Sequence, residues 1–180
     1  MVAPKAERRV MQLAMVVPDI KTACRQWTRT TGIGPFFHVP NISLTEINYR
    51  GAASSGLDFS VAIAQSGGVQ IELIQQHCDR PSAYRDLIAS GASGFHHIGL
   101  YCDDYDANFA WYAGQGYVAA VDGKFGEMRF AYFDTSADIG CMVELIEQNA
   151  VQSEFFARIA AAADRWDGVT DPIRPGFPAA

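Results

Sequence analysis

The chain repeats itself, and the repeat constrains its fold more than any other feature. Gln12-Leu13-Ala14-Met15-Val16-Val17-Pro18-Asp19 can be set above His97-Ile98-Gly99-Leu100-Tyr101-Cys102-Asp103-Asp104, with the same apolar pattern and the same closing aspartate. Val69-Gln70-Ile71-Glu72-Leu73-Ile74-Gln75-Gln76 can be set above Cys141-Met142-Val143-Glu144-Leu145-Ile146-Glu147-Gln148, sharing Glu, Leu, Ile and the final Gln. The first offset is longer than the second, so the first copy has the longer internal loops. A duplicated supersecondary unit buries its apolar face against its copy. Two such units are expected to pack about a pseudo-two-fold axis and to place equivalent residues around a shared cavity.

Each copy reads as strand, helix and three strands. In the first, residues 10–17 are a short apolar run closed by Pro18-Asp19. Asp19 is placed to cap a helix over 20–30, with Ile20, Ala23, Cys24 and Trp27 as its buried stripe. Gly32, Gly34 and Pro35 break that helix, and Phe36-Phe37 follow in an extended stretch. Residues 42–50 alternate as a strand, while 57–65 and 69–76 form a hairpin turned by Ser66-Gly67-Gly68. A connecting segment, 79–90, carries a short helix after Pro81. In the second copy the strand is 95–102, the helix 105–115, and the three strands 116–122, 128–134 and 141–148. The fold class is therefore α+β: two βαβββ modules, about 10–77 and 95–149, forming one domain over 10–149. Residues 150–180 add an Ala-rich amphipathic helix over 153–166 and a tail with Pro172, Pro175 and Pro178.

The bulk properties exclude several function classes. With 180 residues and 49% hydrophobic content the chain can bury a real core. A net charge of −6 and the lack of any basic run argue against a nucleic-acid partner, which needs clustered Lys and Arg. No apolar run approaches the ~20 residues of a membrane helix. The polar start, 1–9, is followed by no apolar core with a cleavage site, so a cytoplasmic protein is expected. Cys24, Cys78, Cys102 and Cys141 contain no CxxC pair and are expected as reduced thiols, mostly buried.

Four polar residues sit where a buried strand favours an apolar one: Gln12, Glu72, His97 and Glu144. A carboxylate in a low-dielectric sheet is costly unless it is paired or bound to a cation. Two carboxylates at repeat-equivalent positions point to one shared cation, which converts their repulsion into coordination. Strand alternation turns His96 away from His97, as a structural residue. His38 and His77 read as rim or surface residues. Trp27, Phe36, Phe37, Tyr101, Phe130 and Tyr132 are wall or core material with no substrate contact assigned.

The Val16-Val17-Pro18-Asp19 strand end, the run from Gly94-Phe95-His96-His97 to Asp103-Asp104, and the two Glu-Leu-Ile strands resemble the vicinal-oxygen-chelate superfamily. That superfamily includes glyoxalase I, methylmalonyl-CoA epimerase, extradiol dioxygenases and bleomycin-resistance proteins. The resemblance covers residues 10–149. It implies a curved mixed sheet around one metal, with ligands from the first and last strand of each module: Gln12, Glu72, His97 and Glu144. This set resembles the glyoxalase I pattern, whereas extradiol dioxygenases use two His and one Glu. One imidazole and three oxygen donors suit Zn, Ni, Co or Mn about equally.

The resemblance thus implies a divalent-metal-dependent isomerase, epimerase or lyase that stabilises the enolate of a small substrate with vicinal oxygens. Glu144 or Glu72 would be the catalytic base. Asp58 and Arg129 are candidates for a second acid/base or an anion-binding group. No residue cluster maps to glutathione recognition. A homodimer is expected on family grounds. The competing readings are a metal-free ligand-binding protein of the same fold and, third, a ring-cleaving dioxygenase.

Overall fold

The structure, a computed structural model, describes residues 8–176; the first seven residues and the last four, with Pro178, lie outside the described residues. β1 (Val10–Val16) is followed by α1 (Ile20–Thr31). Asp19 starts that helix, its Oδ1 accepting the Thr22 N–H at 2.8 Å, and Gly32 ends it in the left-handed region at φ 74°. Ile20, Ala23 and Cys24 are buried as expected, with Trp27 half-buried beside them. Next come β2 (Phe36–Val39), β3 (Thr45–Tyr49), β4 (Ala52–Ala53), β5 (Phe59–Ser66) and β6 (Val69–Gln76). β5 and β6 pair in register from Ser66↔Val69 to Phe59↔Gln76, a hairpin closed by the two glycines the sequence places there.

After α2 (Ala83–Leu87), the second module runs β7 (Gly94–Cys102), α3 (Tyr105–Gly114), β8 (Ala119–Phe125), β9 (Met128–Phe133), α4 (Ser136–Ile139) and β10 (Met142–Glu147). α5 (Ala150–Asp164) and β11 (Ile173–Pro175) complete the chain. All strands join one mixed sheet in the order β11-β2-β5-β6-β1-β7-β10-β9-β8-β3-β4. The repeat is plain in that order. β1 and β7 meet antiparallel at the centre, and each is flanked by a parallel partner, β6 on one side and β10 on the other. β5 and β9, then β2 and β8, extend the two halves outward.

One strand is not where its pattern placed it in the first module. The second strand of that module is β2, not the alternating segment 42–50. β2 buries Phe36, Phe37 and Val39 and pairs with β5. β3 lies in the 42–50 segment but crosses to the open edge of β8 in the other module, with β4 outside it. Alternation reveals that a segment is extended; it does not name the partner. β3 is short and no residue of it is fully buried, which suits an edge.

The sheet has two unlike faces. α1 covers the outer face of one half around Cys24, Phe36 and Leu73, and α3 that of the other around Leu100, Tyr112 and Phe133. The inner, concave face carries the third cluster and is roofed by α5. Asn149 caps α5 by accepting the Gln152 N–H at 2.8 Å. Gln152, Phe155, Phe156 and Ile159 recur at helical spacing and form its buried stripe. All four cysteines are unpaired, three of them buried. No helix among the described residues is long and apolar enough to cross a membrane.

Candidate metal centre

Strand register gathers the polar residues into two neighbouring rungs of the concave face. Gln70, Gln12, Gly99 and Glu144 lie in one rung across β6, β1, β7 and β10; Glu72, Ala14, His97 and Met142 lie in the next. Gly99 leaves the space between Gln12 and Glu144 open. A Cβ there would stand 3.0 Å from Gln12 Cβ and 3.1 Å from Gln12 Oε1.

Glu72, His97 and Glu144 converge so that one ligand atom from each lies within 4.8 Å of the others. His97 Nε2 is 3.1 Å from Glu144 Oε2 and 3.4 Å from Glu72 Oε2. Neither contact has hydrogen-bond alignment: His97 Nε2 and Glu72 Oε2 are buried without a hydrogen-bond partner. Two orphaned polar atoms in a cluster of metal-ligand side-chain types are what a bound cation would satisfy, so the residues fit the metal that the sequence pattern implies. Gln12 Nε2 donates to Gln70 Oε1 at 3.2 Å, leaving Gln12 Oε1 as a fourth donor atom beside the same cavity.

The electrostatics agree. Burial holds the Glu72 carboxyl above its usual range, with Glu144 adding to the rise. Burial would lower His97, but the Glu144 and Glu72 carboxylates outweigh it and hold the imidazolium up to about 9. Without a cation, a proton on His97 is the site's positive charge.

His96 behaves unlike its sequence reading. Between Ala14↔His97 and Met15↔Phe95 the β1–β7 register shifts, so β7 has one extra residue, His96. This β-bulge cancels the alternation and brings the His96 ring 5.2 Å from that of His97. The Ala83 carbonyl can only accept, so His96 Nε2–H donates to it at 2.9 Å. Burial, reinforced by the nearby His97, pushes the His96 pKa down to about 3 and keeps it neutral. Its Nδ1 therefore accepts from His97 Nδ1–H, 2.9 Å away. That relay fixes the tautomer of His97 and turns its Nε2 toward the carboxylates, as an outer-shell partner does in a metal site.

Two phenols complete the floor. Tyr84, from α2, and Tyr132, opposite Glu144 on β9, have hydroxyls 3.5 Å apart. Burial, followed by the carboxylates, raises both, so both stay protonated. The His96-His97 doublet was visible in the sequence, but its bulge was not. Tyr84 had no signal, because a connecting helix delivers it.

Asp58 and Arg129 are not brought to this cavity. Asp58 is exposed, ahead of β5, in a surface groove with Ser55 and Leu57. Arg129 lies on the outer face of β9, paired with Glu147 at 2.6 Å and Asp106 at 2.7 Å and stacked over Tyr105. Its neighbour Phe130 takes the inward position, as strand alternation requires.

Two βαβββ halves sharing one sheet, with a carboxylate–imidazole cluster where their central strands meet, define a class of protein that draws one site from both modules. Residues 11–133 match the family model described as Glyoxalase/Bleomycin resistance protein/Dioxygenase superfamily, and the chain belongs to that superfamily. Nothing among curated protein sequences matches significantly. Solved structures do. A methylmalonyl-CoA epimerase from Mycobacterium tuberculosis is 14% identical, with a TM-score of 0.56 over 86% of this chain and 96% of that one. A Streptomyces coelicolor methylmalonyl-CoA epimerase in complex with 2-nitronate-propionyl-CoA is 18% identical, with a TM-score of 0.51 over 79% and 99%. A hypothetical protein from Bacillus halodurans C-125 is 14% identical, with a TM-score of 0.55 over 80% and 96%. At those identities the likeness is one of fold.

Proposed function

We propose that the chain is a divalent-metal-dependent enzyme of redox-neutral proton transfer, an isomerase, epimerase or lyase acting on a small substrate with vicinal oxygens. The observation that carries this reading is the Nε2 of His97, turned between two buried carboxylates and without a hydrogen-bond partner. Glu72, His97 and Glu144 would hold the cation, with Gln12 Oε1 as the fourth donor. The chemistry such a cation supplies is Lewis-acid stabilisation of negative charge on oxygen.

The remaining work belongs to side chains. Glu72 and Glu144 are repeat equivalents, reaching the cavity from strands on either side of the β1–β7 pair. One takes the proton alpha to a carbonyl, and the C–H electron pair moves onto the carbonyl oxygen as an enolate. A proton returned to the neighbouring carbon gives isomerisation; one returned to the opposite face of the same carbon gives epimerisation. A base whose carboxyl is raised by burial suits this work near neutral pH. The phenols of Tyr84 and Tyr132, kept neutral, are donors beside the developing charge.

Elemental analysis of purified protein tests the reading, together with NMR of alpha-proton exchange in D2O using hydroxyacetone as probe. About one divalent ion per chain is expected, with both metal and exchange lost in Glu144→Gln. No stoichiometric metal after reconstitution overturns the reading in favour of a binding protein. Oxygen uptake coupled to ring cleavage of a catechol overturns it in favour of a dioxygenase.

A further inference from the structure

The cavity above the cluster has a character that the cluster alone does not dictate. It measures about 80 Å³, well below the ~300–1,000 Å³ of sites that enclose drug-sized ligands. Glu72 and Glu144 lie at its floor, and its walls include Val61, Phe130 and Ile146. The roof is α5, which presents Phe155, Phe156 and Gln152. α5 lies beyond the residues that match the family model.

Two properties of this enclosure bear on what it takes. The first is charge. No Lys or Arg is among the described residues that line it. Nearby arginines are engaged elsewhere: Arg129 with Glu147 and Asp106, Arg50 with Asp86 and Asp134, and Arg158 with the Gly176 carbonyl. Two carboxylates cancel the charge of a divalent cation, so a carboxylate or phosphate on the substrate would be buried without a counter-charge. Such burial is strongly unfavourable. The second is Gln152. It is 8% exposed, faces the cavity from the roof, and its side-chain amide makes no hydrogen bond to any described residue. Its amide is not among the fully buried, unsatisfied atoms, so a ligand group entering the cavity can take the place of solvent on it.

We propose that the cavity takes a compact, uncharged substrate, an α-dicarbonyl or α-hydroxyketone with an alkyl or aryl body. Its vicinal oxygens face the Glu72–His97–Glu144 cluster, its body lies against Phe130 and Phe156, and Gln152 reads a polar group at its far end. Acyl groups that carry their own carboxylate into the cavity, as that of methylmalonyl-CoA does, are excluded. The placement of the oxygens rests on the metal-enzyme reading; the neutrality and apolarity of the rest do not.

Isothermal titration calorimetry on metal-loaded and chelator-treated protein tests this with two probes, 5-methoxypentane-2,3-dione, a compact neutral dione with an ether oxygen at its far end, and methylmalonyl-CoA. The dione is expected to bind metal-loaded protein at least tenfold more tightly than the thioester. Gln152→Leu, close to isosteric, is expected to weaken the dione about 3- to 10-fold, the worth of one hydrogen bond. Phe156→Trp, which adds volume under the roof, is expected to weaken it further while the melting temperature shows that the protein is folded. Equal or tighter binding of methylmalonyl-CoA overturns the inference and leaves the metal enzyme standing, as does failure of both probes at millimolar concentration in protein shown to hold metal. Chelator-insensitive dione binding in protein that takes up no metal supports the neutral cavity and overturns the enzyme instead.

Discussion

Raising the pH of the metal-free protein from 6.5 to 9 should destabilise it, and the size of the effect follows from His97. Its imidazole titrates near 6.5 when unfolded and is held up to about 9 between the two carboxylates when folded. A raised pKa means that the folded state binds the proton more tightly. The stability it confers is therefore complete below pH 6.5 and lost as pH rises through about 9. The gap between those values, at ~1.36 kcal/mol per pH unit, comes to about 3 kcal/mol. For a chain of this size that is a fall of roughly 6–12 °C in melting temperature. Glu72, also raised, adds a slope of the same sign from its unfolded value of 4.5 upward. His96, pushed down to about 3, has the opposite sign and acts below 6.5, outside the window. Cys24 and Cys102, raised to about 12 and about 11, act above it.

Urea denaturation of chelator-treated protein at half-unit pH steps measures the slope. The double variant Glu72→Gln/Glu144→Gln is the control. Its neutral amides no longer favour the imidazolium, so the fall should vanish, while groups away from the cluster cancel in the difference. Saturating zinc should also abolish the fall, because the cation takes the place of the proton on Nε2 and binds more tightly as that proton leaves. A stability that is flat or rising from pH 6.5 to 9 in the native apo-protein, or an equal fall in the double variant, refutes the reasoning.

Other outcomes follow from the same geometry. His96→Phe removes the acceptor that orients His97 and should lower zinc affinity about 10- to 100-fold with the fold intact, read by calorimetry and near-UV circular dichroism. Gly99→Ala should weaken zinc binding by displacing Gln12, because the new methyl would meet the Gln12 side chain at 3.0 Å, and a crystal structure should show that displacement. Asp58→Ala and Arg129→Ala should leave zinc affinity unchanged in the same titration, since neither residue lines the cavity. Ile159→Ala, under the roof at a fully buried position, should cost about 2–5 kcal/mol in urea denaturation.

Much of the arrangement was legible in the chain. The duplicated Glu-Leu-Ile strand and the matched Gln12 and His97 strands placed four polar residues at equivalent positions, and strand register does bring all four to one face. Periodicity and repetition are local properties, and the sequence carries them in full. It also carries the cap at Asp19 and the glycine turn of the β5–β6 hairpin, because a cap or turn involves only residues a few positions apart. What the sequence could not decide is what depends on distant partners. β3 went to the far module because an edge was open there. His96 turned inward because one extra residue opposite β1 shifts the face, and a shift of one residue is enough to break the alternation. Tyr84 and Gln152 reach the cavity from helices whose placement depends on the packing of the whole sheet. So the sequence by itself determined the two modules and the carboxylate–imidazole cluster where they meet. Tertiary structure decided the second imidazole behind that cluster and the apolar, uncharged roof above it, because both arise from surfaces that meet only after the modules have packed.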